Sequence, residues 1–222
     1  MTCNSITLIF LFLPIVLICF YKFTGEKARL AVLFISSMLF YAWDNPKYVI
    51  LLAASIVFNY ITALEINEWR KADKPLYSKI AMITGVAINL LLLIFYKYTG
   101  FIAGIFGQTV QKIYIPLGIS FYTFSVISYI LDIYNGKAEF EVNPTSFITY
   151  VSFFPKVIQG PIVQYSEMAE KIKNPRVNKK NLYSGFQLFL IGLFKKILIA
   201  DRLGLAFSQI YGTENIASAT AW

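Results

Sequence analysis

Polar side chains able to do chemistry are few in this chain, and two of them sit where the backbone is broken. The stretch SFFPKVIQGPIVQYSE, residues 152–167, sets Lys156 and Gln159 among Pro155, Gly160 and Pro161. An ammonium and an amide so placed can donate to carbonyl groups that the prolines leave without partners. They can equally contact a polar substrate in a cavity, because broken backbone at membrane depth lines protein or water, not lipid. Asp132, in SYILDIYNG, is a carboxylate in an apolar run; its plain use is as an interfacial acid, solvated or paired with Lys137. Lys195 and Lys196, in GLFKKILIAD, are adjacent ammoniums within another apolar run. In hydrocarbon each costs on the order of 3 kcal/mol. Their helix is therefore expected either in the interface or against a polar cavity, with Asp201 and Arg202 close by. Asn59 and Asn89 read as amides that bond between helices.

Much chemistry is excluded. The 222 residues contain no histidine, so an imidazole base is absent from them. No glycine-rich phosphate loop, serine elbow or metal-ligand spacing occurs, and no metal site is expected. Cys3 and Cys19 cannot form a disulfide framework.

The elements that position these residues are apolar. Hydrophobic residues make up 57% of the chain and charged residues 14%, against about 25% charged in soluble domains. Mean hydropathy is +0.61, and aromatic side chains, which anchor at bilayer interfaces, reach 17%. An all-α, polytopic integral membrane protein follows, with one membrane domain over residues 1–222. Candidate spans cover 6–23, 28–43, 47–64, 78–98, 114–134 and 182–200, with a short apolar piece at 203–211. The net charge of +8 is spread between these runs, which suits orientation in a bilayer and not nucleic acid. The repeated pattern in CFYKFTGE (19–26) and IFYKYTGF (94–101) reads as a recurring helix end: interfacial aromatics, a snorkelling lysine and a capping glycine.

Charge also sets the topology. Lys22, Lys27 and Arg29 follow the first span, Lys47 alone the second, and Arg70, Lys71, Lys74 and Lys79 the third. Basic residues favour the cytoplasmic side, so the amino terminus is expected outside. Lys137 and the later Lys171, Lys173, Arg176, Lys179 and Lys180 are then all cytoplasmic. Residues 146–165 cannot cross; they must enter and return, as a re-entrant segment broken by proline and glycine.

IPLGISFYTFSVISYILDIYNG (115–136), FFPKVIQGPIVQYSE (153–167) and GLFKKILIADRL (192–203), preceded by FYKYTGF (95–101), together resemble the membrane-bound O-acyltransferase family. The nearest branch is the bacterial one of alginate O-acetylases and teichoic acid D-alanyl transfer proteins. The resemblance implies a multi-pass protein of the bacterial inner membrane whose funnels meet at a histidine. An acyl donor, acetyl-CoA or an acyl carrier thioester, would serve as co-substrate. The acceptor would be an exported cell-surface polysaccharide, aided by a secreted or periplasmic partner acyltransferase. Pro116, Gly118, Pro155, Gly160 and Pro161 would shape the funnel, with Lys156 and Gln159 lining it. The family's histidine lies beyond the third motif, so these residues are expected to correspond to the amino-terminal half and to be inactive alone. Transporter, channel and scaffold roles are the alternatives, since broken helices also serve transporters.

Overall fold

The computed structural model describes residues 7–23, 25–44, 46–107, 114–157, 160–173 and 178–211, and among these it is helical with no strand. It divides into two compact units, Met1–Pro175 and Arg176–Trp222.

In the first unit, a π-helical turn (Leu8–Phe12) leads into α1 (Leu13–Lys22), followed by α2 (Glu26–Asp44), α3 (Lys47–Lys71), α4 (Pro75–Ile105) and α5 (Ile119–Tyr134). Two helices, α3 and α4, are long and apolar enough to cross a membrane, each with a mean hydropathy of 2.0. At about 1.5 Å per residue they measure about 37 and 46 Å. Both outrun the spans expected from the sequence, because the polar turn between them is only residues 72–74, with Asp73 in a left-handed conformation. The platform of α3, α4 and α5 is tight. At Gly85 of α4 an added Cβ would lie 2.6 Å from Thr62 of α3 and 3.2 Å from Ile130 of α5. The expected amide contact is present and reciprocal: the Asn59 amide donates to Asn89 at 3.2 Å and the Asn89 amide to Asn59 at 2.6 Å.

The relative directions of these helices follow from their ends. Tyr48, at the start of α3, stacks on Tyr114 just before α5 and donates to its carbonyl. Arg70, at the end of α3, donates to the carbonyl of Ile133 at the end of α5. Helices α3 and α5 are therefore parallel, with α4 antiparallel to both.

The chain then turns back along α5. Helix α6 (Pro144–Ser152) is capped by the Asn143 side chain, which accepts from Thr145 N–H, and α7 (Phe154–Val157) follows after a single residue. Val157 rests on Gly118, the residue that opens α5 in a left-handed conformation (φ 68°). A Cβ at Gly118 would collide with the Val157 carbonyl. Residues 160–164, outside any helix, lead to α8 (Tyr165–Lys173). The second unit comprises α9 (Lys179–Lys195), which continues through a π-helical turn (Lys196–Ala200) into α10 (Asp201–Tyr211).

Gly118→Ala is expected to collapse the yield of monodisperse protein in fluorescence-detected size-exclusion chromatography. Gly104→Ala, where an added methyl meets open space, should leave the peak unchanged.

Candidate functional site

Residues 141–157 and 160–165 form an out-and-back hairpin inside the first unit. Its outward limb starts at Glu141, whose backbone N–H donates to the Tyr129 hydroxyl at 2.9 Å. Its tip reaches the opposite end of α5, where Val157 meets Gly118. Its return limb passes Tyr150, whose hydroxyl donates to the Val163 carbonyl at 2.9 Å. The loop closes where Tyr165 donates to the Glu141 carboxylate. The same carboxylate accepts from Asn143 N–H at 2.9 Å. Glu141 and Tyr165 are only 3% and 2% exposed. Burial, and then the bond to Glu141, raise the proton affinity of the Tyr165 hydroxyl above that of an ordinary tyrosine.

Three rings, Tyr129, Tyr150 and Tyr165, fill the space between the limbs, with Tyr165 edge-on to both of the others at 4.9 and 5.0 Å. At the tip, Phe154 joins Phe12 and Phe40 at 5.3 and 5.7 Å, and its N–H donates to the Ser37 hydroxyl of α2. Gly160 donates its N–H to the Lys156 carbonyl at 3.1 Å, and it lies so close that a side chain there would overlap Lys156.

Lys156 is the anomaly of the site. It is 6% exposed, and its ammonium has no hydrogen-bond partner among the described residues. The nitrogen lies 3.4 Å from the centre of the Tyr150 ring, a cation–π contact worth about 2 kcal/mol when desolvated. An unpaired buried ion costs several kcal/mol, so this contact offsets only part of the penalty. The possible use of this lysine in bonding carbonyls freed by the prolines is thus not what the structure shows. Instead Lys156 lines a cavity of about 280 Å³ with Phe153, Pro155, Pro161, Val163 and Met168, and with Glu167 and Lys171 of α8. Mostly apolar walls with a few converging polar groups are the usual make-up of a small-molecule site.

The hairpin thus brings together Lys156, Gly160 and Pro161, while the neighbouring Val157 meets Gly118; Pro116 is buried. Gln159 lies outside the described residues. Asp132 is buried at 6% exposure, not solvated, and one of its carboxylate oxygens lacks a partner. Lys137 meets it through the backbone, Lys137 N–H bonding the Asp132 carbonyl at 2.9 Å. Lys195 and Lys196 belong to the second unit. There Lys195 is exposed, while Lys196 bonds both carboxylate oxygens of Asp201 at 3.0 and 3.4 Å. Glu141, Tyr129, Tyr150 and Tyr165 had no signal in the sequence. Their partners lie 12 to 25 residues away and share no local pattern.

Among the described residues no group of acidic, histidine or cysteine side chains could hold a metal ion.

Comparison with known proteins falls on the same region. The model of the membrane-bound O-acyltransferase family matches residues 140–219, which include the hairpin. The protein named Probable alginate O-acetylase AlgI of Pseudomonas aeruginosa is 32% identical over the whole of this chain and 44% of its own length. Peptidoglycan O-acetyltransferase of Helicobacter pylori is 38% identical over 76% of this chain and 38% of its own. Teichoic acid D-alanyltransferase of Lacticaseibacillus rhamnosus is 23% identical over 80% of this chain and 42% of its own. The chain thus spans less than half the length of these relatives. No solved structure matches.

Tyr165→Phe removes the hydroxyl that closes the hairpin and leaves the Glu141 carboxylate short of a donor. The expected loss is about 1–3 kcal/mol, read as faster hydrogen exchange of residues 160–170 with little change across α3 and α4.

Proposed function

Since this chain is related to the membrane-bound O-acyltransferases, we propose that it is part of a multi-pass bacterial inner-membrane enzyme that transfers an acyl group to hydroxyls of an exported polysaccharide. Acetyl is the group favoured, because relatives named as O-acetylases and O-acetyltransferases are the more similar ones; D-alanyl is second. The observation that carries this reading is the hairpin at Lys156: backbone that leaves the helical form beside a cavity with a few polar groups on mostly apolar walls, inside the residues that match the family.

In the proposed orientation both ends of the hairpin lie on the cytoplasmic side and its tip rises along α5. Such a segment walls a passage through protein, where a donor thioester from inside meets a hydroxyl from outside. In the transfer, the hydroxyl oxygen bonds the acyl carbon, the carbon–sulfur bond breaks, and the hydroxyl proton ends on the thiol. The ammonium of Lys156 is suited to holding the acyl oxygen, since it has no protein partner to give up. These 222 residues hold no histidine, so no imidazole among them takes the hydroxyl proton. A secreted or periplasmic acyltransferase would act as partner.

The full-length protein in proteoliposomes, given a labelled acetyl thioester outside the vesicle face that carries Lys71 and a polysaccharide on the other, should label the polymer. No label above background would overturn the reading. Lys156→Met should lower the rate at least tenfold (about 1.4 kcal/mol of barrier), and Lys156→Arg should retain part of it. For the topology, a cysteine at Gln164 should resist an impermeant reagent added from the exterior of cells; full reaction there would remove the re-entrant placement.

A further inference from the structure

A second cavity, of about 420 Å³, lies at the carboxyl ends of α3 and α5, away from the hairpin tip. Its charged wall comes from Arg70 and Lys71 of α3, and facing them is Glu139 from the segment after α5. Opposite charges lining one small cavity ordinarily pair. Here Lys71 reaches Glu68 on its own helix, at 3.7 Å, and Arg70 spends one nitrogen on the Ile133 carbonyl. Glu139 forms no ion pair or hydrogen bond among the described residues. The guanidinium is held in place: an added Cβ at Gly136 would lie only 2.8 Å from it. Side chains of opposite charge thus line one cavity with no ion pair between them among the described residues.

The rest of the lining combines the Asn67 amide with the apolar side chains of Ala138, Phe140 and Val142, the last of them 78% exposed. The level is that of a membrane interface. Trp69, beside Arg70, stacks on Tyr77 at 5.1 Å, and Lys74 lies over both rings at 5.3 and 5.9 Å. Aromatic rings with lysine mark the headgroup region, and basic pockets between helices there bind lipid headgroups.

We propose that this cavity binds a phospholipid whose headgroup carries both a phosphate and a primary ammonium, as phosphatidylethanolamine does. Arg70 and Lys71 take the phosphate, Glu139 takes the ammonium, and Phe140 and Val142 meet the upper part of an acyl chain. A purely anionic headgroup leaves Glu139 opposed to like charge. The assignment rests on the membrane placement above but not on acyl transfer, since lipid retention is measured without a donor.

The test is native mass spectrometry of the full-length protein released from nanodiscs of equal phosphatidylethanolamine and phosphatidylglycerol. The wild type should retain phosphatidylethanolamine preferentially. Glu139→Lys, a change of two charges, should move the ratio towards phosphatidylglycerol on the order of thirtyfold, at about 1 kcal/mol per interfacial charge. Arg70→Gln should release both. Equal retention by the wild type, or an unchanged ratio in Glu139→Lys, overturns the proposal; if that variant misfolds, Glu139→Gln is read against the same criterion. Soluble phosphoethanolamine that raises the melting temperature as far as the lipid does would also overturn it, since the site would then hold a free headgroup and not a membrane lipid.

Discussion

A backbone that carries Pro155, Gly160 and Pro161 within seven residues cannot close all of its own hydrogen bonds, and distant side chains supply partners. Each proline lacks a donor, and a buried polar group left without a partner costs about 1–3 kcal/mol. In the hairpin the compensation comes from distant side chains. Ser37 of α2 accepts from Phe154, Tyr150 donates to Val163, and Tyr129 accepts from Glu141. This is the condition under which irregular backbone is tolerated at membrane depth: protein, not lipid, must surround it.

Those same compensating contacts decide the shape of the site. The bond from Tyr165 to Glu141 ties the return limb to the start of the outward limb, and the contact of Val157 with Gly118 pins the tip. With both ends held, the space between α7, the return limb and α8 stays open as a cavity, and Lys156 is left at its wall with an aromatic ring but no acceptor. A protein seldom keeps a buried ion in that state without a use for it. The unsatisfied cation is thus the group with most to gain from a ligand oxygen.

Behind the hairpin, α3, α4 and α5 supply a stiff support. The reciprocal amide bonds of Asn59 and Asn89 fix the register of α3 on α4, and Gly85 lets the three helices approach closely, as small residues do in membrane helix packing. Because α5 carries both Gly118 at one end and Tyr129 near the other, any shift of that helix moves the tip and the base of the hairpin together.

From composition and patterning alone, the helical and membrane character of the chain was legible, since both depend on the sum of local hydropathy. So was the turn-back after Asp132, because Lys137 and the basic run beyond Lys171 demanded one side of the bilayer. Amides at Asn59 and Asn89 could be read as interhelical for the same local reason: apolar surroundings leave them few other partners. What only the tertiary structure decided is which groups meet. Glu141 looks in sequence like any solvated acid after a helix, yet it is buried because Tyr165, 24 residues on, folds back over it. Lys156 looked equally suited to bonding freed carbonyls or facing a cavity. In the structure its ammonium lies against the Tyr150 ring with no hydrogen-bond partner among the described residues, and the residue lines the cavity beside α8. Hydropathy is additive along a chain and can be read from it, whereas hydrogen-bond partners are chosen by chain return, which no local pattern encodes.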